Sequence, residues 1–175
     1  MQFIRSIAAA SLLLFALPSF AQTPAAQGVY LSADFGRASV SSRYADDGSD
    51  VALSGAIGYQ YSSSLGFELY SRGLSLNPFR GAFDEAGYYP DRHYGLAAIA
   101  GTNVSEAVRL FGRAGVGRTT MKGNRTRLAD KHDTDPILGV GASYALSRNW
   151  SLNVEASYLT KSEVSLLTLG ARVQF

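Results

Sequence analysis

For imidazole or thiolate chemistry this 175-residue chain has two histidines, His93 and His132, and no cysteine. The lack of Cys excludes disulfides, thiolate metal sites, a Cys nucleophile and a lipidated N-terminal Cys. An acyl hydrolase or acyltransferase built on histidine needs a nucleophile within hydrogen-bond reach of the ring. His132 stands beside Lys131 and Asp133 in a polar stretch and is expected to be a solvated loop residue. His93 is expected at the mouth of a strand, where His-Tyr-Gly supplies no Ser on its own face. A Ser from another strand could still approach it. No catalytic, cofactor-binding or metal-ligating residue is therefore assigned, and the chain is read as a non-enzyme. Gly115-Val116-Gly117 and Gly139-Val140-Gly141 complete no dinucleotide fingerprint, because neither opens a helix. They are read as room for neighbouring side chains. The run 122–127 (KGNRTR) reads as a solvated basic loop.

Six charged residues say more, because each falls on the polar face of an alternating segment. They are Asp34, Glu68 and Glu155 with Arg109, Arg113 and Arg172. In a narrow interior of low dielectric, an unpaired charge costs several kcal/mol. The six are expected to pair as a network that ties strands together across a lumen. The second reading is a charged constriction that opens to ions. Arg37 and Arg118 have the opposite, outward parity, and with Lys122 they are candidates for phosphate contacts.

The elements that hold these residues alternate with a period of two, the mark of strands with one apolar face. Val29, Leu31, Ala33 and Phe35 begin the series, and Leu53, Ile57, Tyr59 and Tyr61 follow. Then come Leu65, Phe67 and Leu69; Tyr94, Leu96, Ala98 and Ala100; and Val108, Leu110, Ala114 and Val116. The register of that fourth, Ala/Gly-rich segment is ambiguous, and the face carrying Tyr94 is chosen. The last three faces are Leu138 to Leu146, Trp150 to Tyr158, and Leu167 to Phe175 at every second residue. Long links near 41–50, 73–92 and 119–135 alternate with short ones near 62–64, 102–106 and 147–149, and a tight link lies at 161–162. An even strand count with links sorted this way describes an up-and-down barrel with surface loops at one end.

Aromatic residues sort to the strand ends. Tyr59, Tyr61, Tyr144, Trp150 and Phe175 form one expected girdle, and Phe35, Tyr94 and Tyr158 the other. Amphipathic rings favour the headgroup level of a bilayer. Hydrocarbon leaves an open sheet edge unsatisfied, so the strands must close, and eight strands leave a lumen that side chains nearly fill. Ahead of the strands, Arg5, the apolar stretch 7–17, Pro18 and Ser19-Phe20-Ala21 have the pattern of a cleaved export signal. The domain reading is a signal over 1–21, a short lead over 22–27 and an all-β, eight-stranded antiparallel transmembrane barrel over 28–175. Sixteen Lys and Arg against fourteen Asp and Glu give a net charge of +2, which argues against a nucleic-acid partner.

The segments 88–101 (YYPDRHYGLAAIAG), 110–117 (LFGRAGVG), 135–146 (DPILGVGASYAL), 149–158 (NWSLNVEASY) and 164–175 (VSLLTLGARVQF) resemble the OmpA-type eight-stranded outer-membrane β-barrel family. The likeness extends across 28–175. It implies a monomer in the outer membrane of a Gram-negative bacterium, in contact with lipids that include lipopolysaccharide. A terminal strand ending in Phe175 resembles the signal read by the barrel-assembly machinery. The peptidoglycan-binding domain of longer relatives is expected to be absent. The implied role is envelope integrity together with adhesion-type display of the long loops to a host or surface ligand. A narrow ion-conducting pore and a lipid A-modifying acyl hydrolase or transferase are the alternatives.

Overall fold

The computed structural model describes residues 27–40, 49–75, 88–123 and 130–175. The expected export signal over 1–21 and all of the lead over 22–27 except Gln27 lie outside them. So do 41–48, 76–87 and 124–129 of the long links.

The eight alternating segments form eight strands: β1 Gly28–Val40, β2 Ser49–Gln60, β3 Leu65–Gly73, β4 Tyr88–Asn103, β5 Val108–Gly123, β6 Lys131–Ala145, β7 Trp150–Leu159 and β8 Val164–Gln174. Each pairs antiparallel with the next. β1 also pairs with β8, from Tyr30↔Gln174 to Val40↔Val164, so the sheet closes into a barrel. Closure leaves no ladder edge between the first and last strands unsatisfied.

The outward parity is as expected on every strand. Leu96 is 64% exposed, Val140 68% and Leu167 60%, whereas His93, Ala97 and Ile99 are buried, so β4 takes the register chosen for it. A continuous exposed apolar surface of this kind requires an apolar medium around it. The belt stops at Arg37, Ser71, Arg92, Arg118, Thr134 and Ser165, which are the first polar outward positions and all exposed. On β8 the apolar face from Leu167 to Phe175 runs roughly 26 Å at about 3.3 Å per residue. A strand tilt of about 40° turns this into a height of roughly 20 Å, close to the ~25 Å band of a membrane barrel.

Two expectations are corrected. First, the sequence predicts links at 88–92, 119–123, 131–135 and 49–50, and all of these are strand. Above the apolar belt a strand needs only a hydrogen-bonded neighbour, so apolar alternation stops marking it. Pro90, which has no N–H to give, sits where the β4–β5 register shifts between Pro90 and Arg92. Second, the inward face is not polar throughout. At the long-link end Ala38, Val40, Ala52, Leu74, Ile137, Leu159, Val164 and Leu166 are buried together. Leu166 and Leu167 are sequence neighbours on opposite faces, so alternation carries no signal there.

Small inward residues make the filled interior feasible. The Tyr30 ring lies across Gly58 and Phe111 lies across Gly141, where an added Cβ would strike the rings. Gly58→Val should therefore lower stability by about 1–3 kcal/mol, the usual cost of overpacking. The check is the urea midpoint of the protein folded into lipid vesicles.

Candidate functional site

At mid-height, inward residues of β1, β3, β5 and β7 converge. Arg113 on β5 pairs with Glu68 on β3, and its Nη2 lies 2.9 Å from Glu155 Oε2 on β7. Arg113 Nε also donates to Glu155 Oε2 at 3.0 Å. Arg72 on β3 reaches Glu155 Oε1 at 2.7 Å and donates to Ser157 Oγ at 2.7 Å. Tyr30 on β1 donates its hydroxyl to Glu68 Oε2 at 3.0 Å. The Arg72 and Arg113 guanidinium carbons each lie 5.7 Å from the centre of the Tyr70 ring. All four charged side chains are nearly water-free, at 3–9% exposure. Two acids and two bases balance in this brace, which bridges odd-numbered strands across the lumen.

The expected network of six is thus corrected. Glu68, Arg113 and Glu155 belong to it, whereas Asp34, Arg109 and Arg172 join none of the ion pairs among the described residues. Asp34 packs against Gly170, where a Cβ would strike its Oδ1. Arg172 lies nearer the short turns. Its Nη2 donates to Gln60 Oε1 at 2.8 Å and Gln174 Oε1 at 3.3 Å, and its guanidinium sits 3.5 Å from the centre of the Tyr30 ring. Parity assigns a residue to a face, but the stagger and tilt of the strands set its height. Arg72 was missed, although Glu68, Tyr70 and Arg72 share one inward row and that spacing could have found it.

A second constellation lies toward the long-link end. His93 is fully buried, not at a strand mouth as expected, because β4 begins at Tyr88. Its Nε2 is 2.8 Å from Tyr70 Oη and its Nδ1 2.9 Å from Thr119 Oγ1, and Thr119 donates to Asp135 Oδ2 at 3.1 Å. Since the Thr119 proton goes to Asp135, Thr119 must accept from His93 Nδ1–H. Nε2 then accepts from Tyr70, which assigns a neutral ring by its partners. Asp135 also accepts from Lys161 N at 2.8 Å and from Ser162 N at 3.0 Å. The chain of bonds thus locks β3, β4, β5 and β6 to the tight β7–β8 turn. The Thr119 hydroxyl points its proton away from the ring and toward Asp135, which is the wrong polarity for a base-activated nucleophile. His132 is on β6, not in a loop, and lies exposed with Nδ1 3.2 Å from Thr120 Oγ1.

On the outer face Arg37 and Arg118 are both exposed at the upper limit of the belt. They stand on β1 and β5, opposite sides of an eight-stranded cylinder, so they do not form one site. Arg118 pairs in register with Tyr94, one outward step from Arg92, and Lys122 lies farther up β5. Lys122 Nζ is 3.2 Å from Asp91 Oδ1 and Arg92 Nη2 is 3.7 Å from Asp91 Oδ2. Arg92 was missed because its segment was read as loop. The aromatic positions Phe35, Tyr59, Tyr61, Tyr94, Trp150, Tyr158 and Phe175 are exposed, and Tyr144 is partly so. Among the described residues no group of three or more His, Cys, Asp or Glu could hold a metal ion.

Over residues 7–175 the chain matches the family described as outer membrane protein beta-barrel domain. It is 30% identical over 137 residues to outer membrane protein A of Serratia marcescens, an alignment covering 68% of this chain and 38% of that protein. The chain therefore spans well under half the length of that relative. The fold is similar to the N-terminal β-barrel domain of Pseudomonas aeruginosa OprF, with a TM-score of 0.61 at 17% identity over 86% of this chain and 100% of that one. It is also similar to Ail, the attachment invasion locus protein of Yersinia pestis, in complex with the heparin analogue sucrose octasulfate. That match has a TM-score of 0.54 at 14% identity over 87% of this chain and 100% of that one.

Proposed function

The chain belongs to the outer membrane protein β-barrel family and resides in the outer membrane, and from that premise we propose that it works as a closed barrel that supports envelope integrity and displays its long links to a surface ligand. The observation that carries this reading is the Arg113 brace between Glu68 and Glu155, with a packed apolar layer beyond it toward the long links. The low exposure of the brace and the apolar layer beyond it favour the closed reading over a pore. An acyl hydrolase or transferase would have to meet acyl chains on the outer face, and His93 faces the lumen.

The same proposal includes export through a cleaved signal over 1–21, recognition of β8 up to Phe175 by the barrel-assembly machinery, and a monomeric state. The outward aromatic residues serve as the two girdles. Arg37 and Arg118, the latter with Arg92 and Lys122, contact lipopolysaccharide phosphates, since a charge at the edge of the apolar belt costs little and can reach them. The heparin analogue bound by Ail supports the idea that a barrel of this shape can present a site for anionic saccharides. Replacing both Arg37 and Arg118 with Ala should weaken lipopolysaccharide binding several-fold. Unchanged binding removes these contacts from the proposal.

The central test combines electrophoresis and conductance. Detergent-solubilised protein should migrate differently before and after boiling, because a sealed barrel resists detergent. In a planar bilayer the same preparation should give no discrete conductance steps, and regular steps would establish the pore reading instead. Shortening the long links should abolish binding to a surface ligand while the heat-dependent mobility remains. A changed lipid A mass spectrum on expression would bring back the enzyme.

A further inference from the structure

Below the brace the lumen holds a cavity of about 100 Å³ that reaches the short-turn end. Its wall includes Arg109, Arg172, Ser143, Ser151 and Asn153. Of the four acids on that wall, two are held by arginines, Glu106 lies at its margin, and Asp34 joins no ion pair among the described residues. Glu68 and Glu155 are held by Arg113 and Arg72. Asp34 packs against Gly170, and Glu106 is on an exposed turn. Among the described residues Arg172 meets the amide oxygens of Gln60 and Gln174 and the face of Tyr30, and no carboxylate. Arg109 is less satisfied still: its Nε and Nη2 are buried without an acceptor among the described residues. Buried guanidinium donors without acceptors are costly, and an anion that supplied oxygens to them would lower that cost.

We propose that this cavity is a binding site for a small soluble oxyanion, a phosphate, sulfate or carboxylate, gripped by Arg109 and Arg172 and oriented by the hydroxyls of Ser143 and Ser151 and the amide of Asn153. The guanidinium fork matches two oxygens of such a group. A cavity of about 100 Å³ has room for an inorganic anion. The strand wall separates the site from lipid headgroups, so the ligand enters from solution at the short-turn end, the periplasmic side in the orientation proposed above.

The test is calorimetric titration of the detergent-folded protein with inorganic phosphate at constant ionic strength, with chloride as the balancing ion. The thermal unfolding midpoint is followed in parallel. Saturable phosphate binding and a raised midpoint are expected. Arg109→Gln should weaken binding by roughly tenfold or more while the heat-dependent electrophoretic mobility persists. Glu106→Gln should bind phosphate at least as well as the parent. No saturable binding to the parent overturns the proposal, as does undiminished binding to Arg109→Gln. Binding that appears only after Glu106 is replaced also overturns it, by making Glu106 the true counter-ion.

Discussion

Arg113→Ala should lower the unfolding free energy by about 3–5 kcal/mol, the usual result of removing one partner from a buried ion pair. The reason lies in what remains. Glu68 would keep only the Tyr30 hydroxyl, and Glu155 would keep Arg72. Two carboxylates at 3% and 8% side-chain exposure would then remain with one guanidinium, Arg72, which of the two pairs only with Glu155. The measurement is urea unfolding of protein folded into lipid vesicles, with the heat-dependent mobility as a qualitative companion. A double-mutant cycle separates the pair from the cavity left behind. Adding Glu68→Gln to Arg113→Ala should recover part of the loss, because it removes the stranded charge. The coupling should be about 2 kcal/mol and in any case well above the roughly 0.5 kcal/mol within which independent sites add. Additive costs would mean that the brace is packing with no electrostatic content.

Asp135→Ala should cost about 3 kcal/mol in the same assay, with a different signature. Asp135 accepts from the Lys161 and Ser162 amides and the Ser162 hydroxyl, all at one tight turn, and from the Thr119 hydroxyl on β5. That turn holds Glu163 at a φ of 55°, a left-handed conformation that a non-glycine residue adopts at a cost. Each stranded buried donor costs roughly 1–3 kcal/mol, and the exposed side of the turn relaxes part of this. Loss of the carboxylate should therefore loosen the β7–β8 turn before the rest of the barrel. Amide exchange at Lys161 and Ser162 should accelerate by more than global stability accounts for. Asp135→Asn keeps one carbonyl oxygen as acceptor and should recover about half of the lost stability. If exchange at the turn rises only in proportion to global unfolding, Asp135 is not its anchor.

Much of this barrel could be read from residue order. Alternation reports which side of a strand a residue faces, and a belt in contact with hydrocarbon makes that signal strong because every outward position must be apolar. Leu96, Val116 and Leu169 are unambiguous for this reason, and their inward neighbours follow by parity. The signal fades wherever lipid stops imposing it. The upper parts of β4, β5 and β6 present polar residues to water and so resembled loop. Leu159, Val164 and Leu166 are apolar residues facing in, which a rule of oil outside cannot detect.

The pairing of charges was legible only in part, for a geometric reason. Glu68, Arg72, Arg113 and Glu155 lie on strands whose relative stagger is a property of the closed cylinder, and no single strand contains it. Arg109 and Arg172 have the same inward parity but meet no carboxylate, because closure sets them lower. His93 shows the same division. Its place on β4 gave its face once the register was chosen, yet its partners Tyr70 and Thr119 come from β3 and β5, and the anchor Asp135 from β6. Composition and periodicity thus dictated strand count, facing and the surrounding medium, since each depends on a residue and its immediate neighbours. Which buried charges neutralise one another, and which guanidinium is left with an open cavity, depends on distances across the lumen that exist only once β1 has met β8.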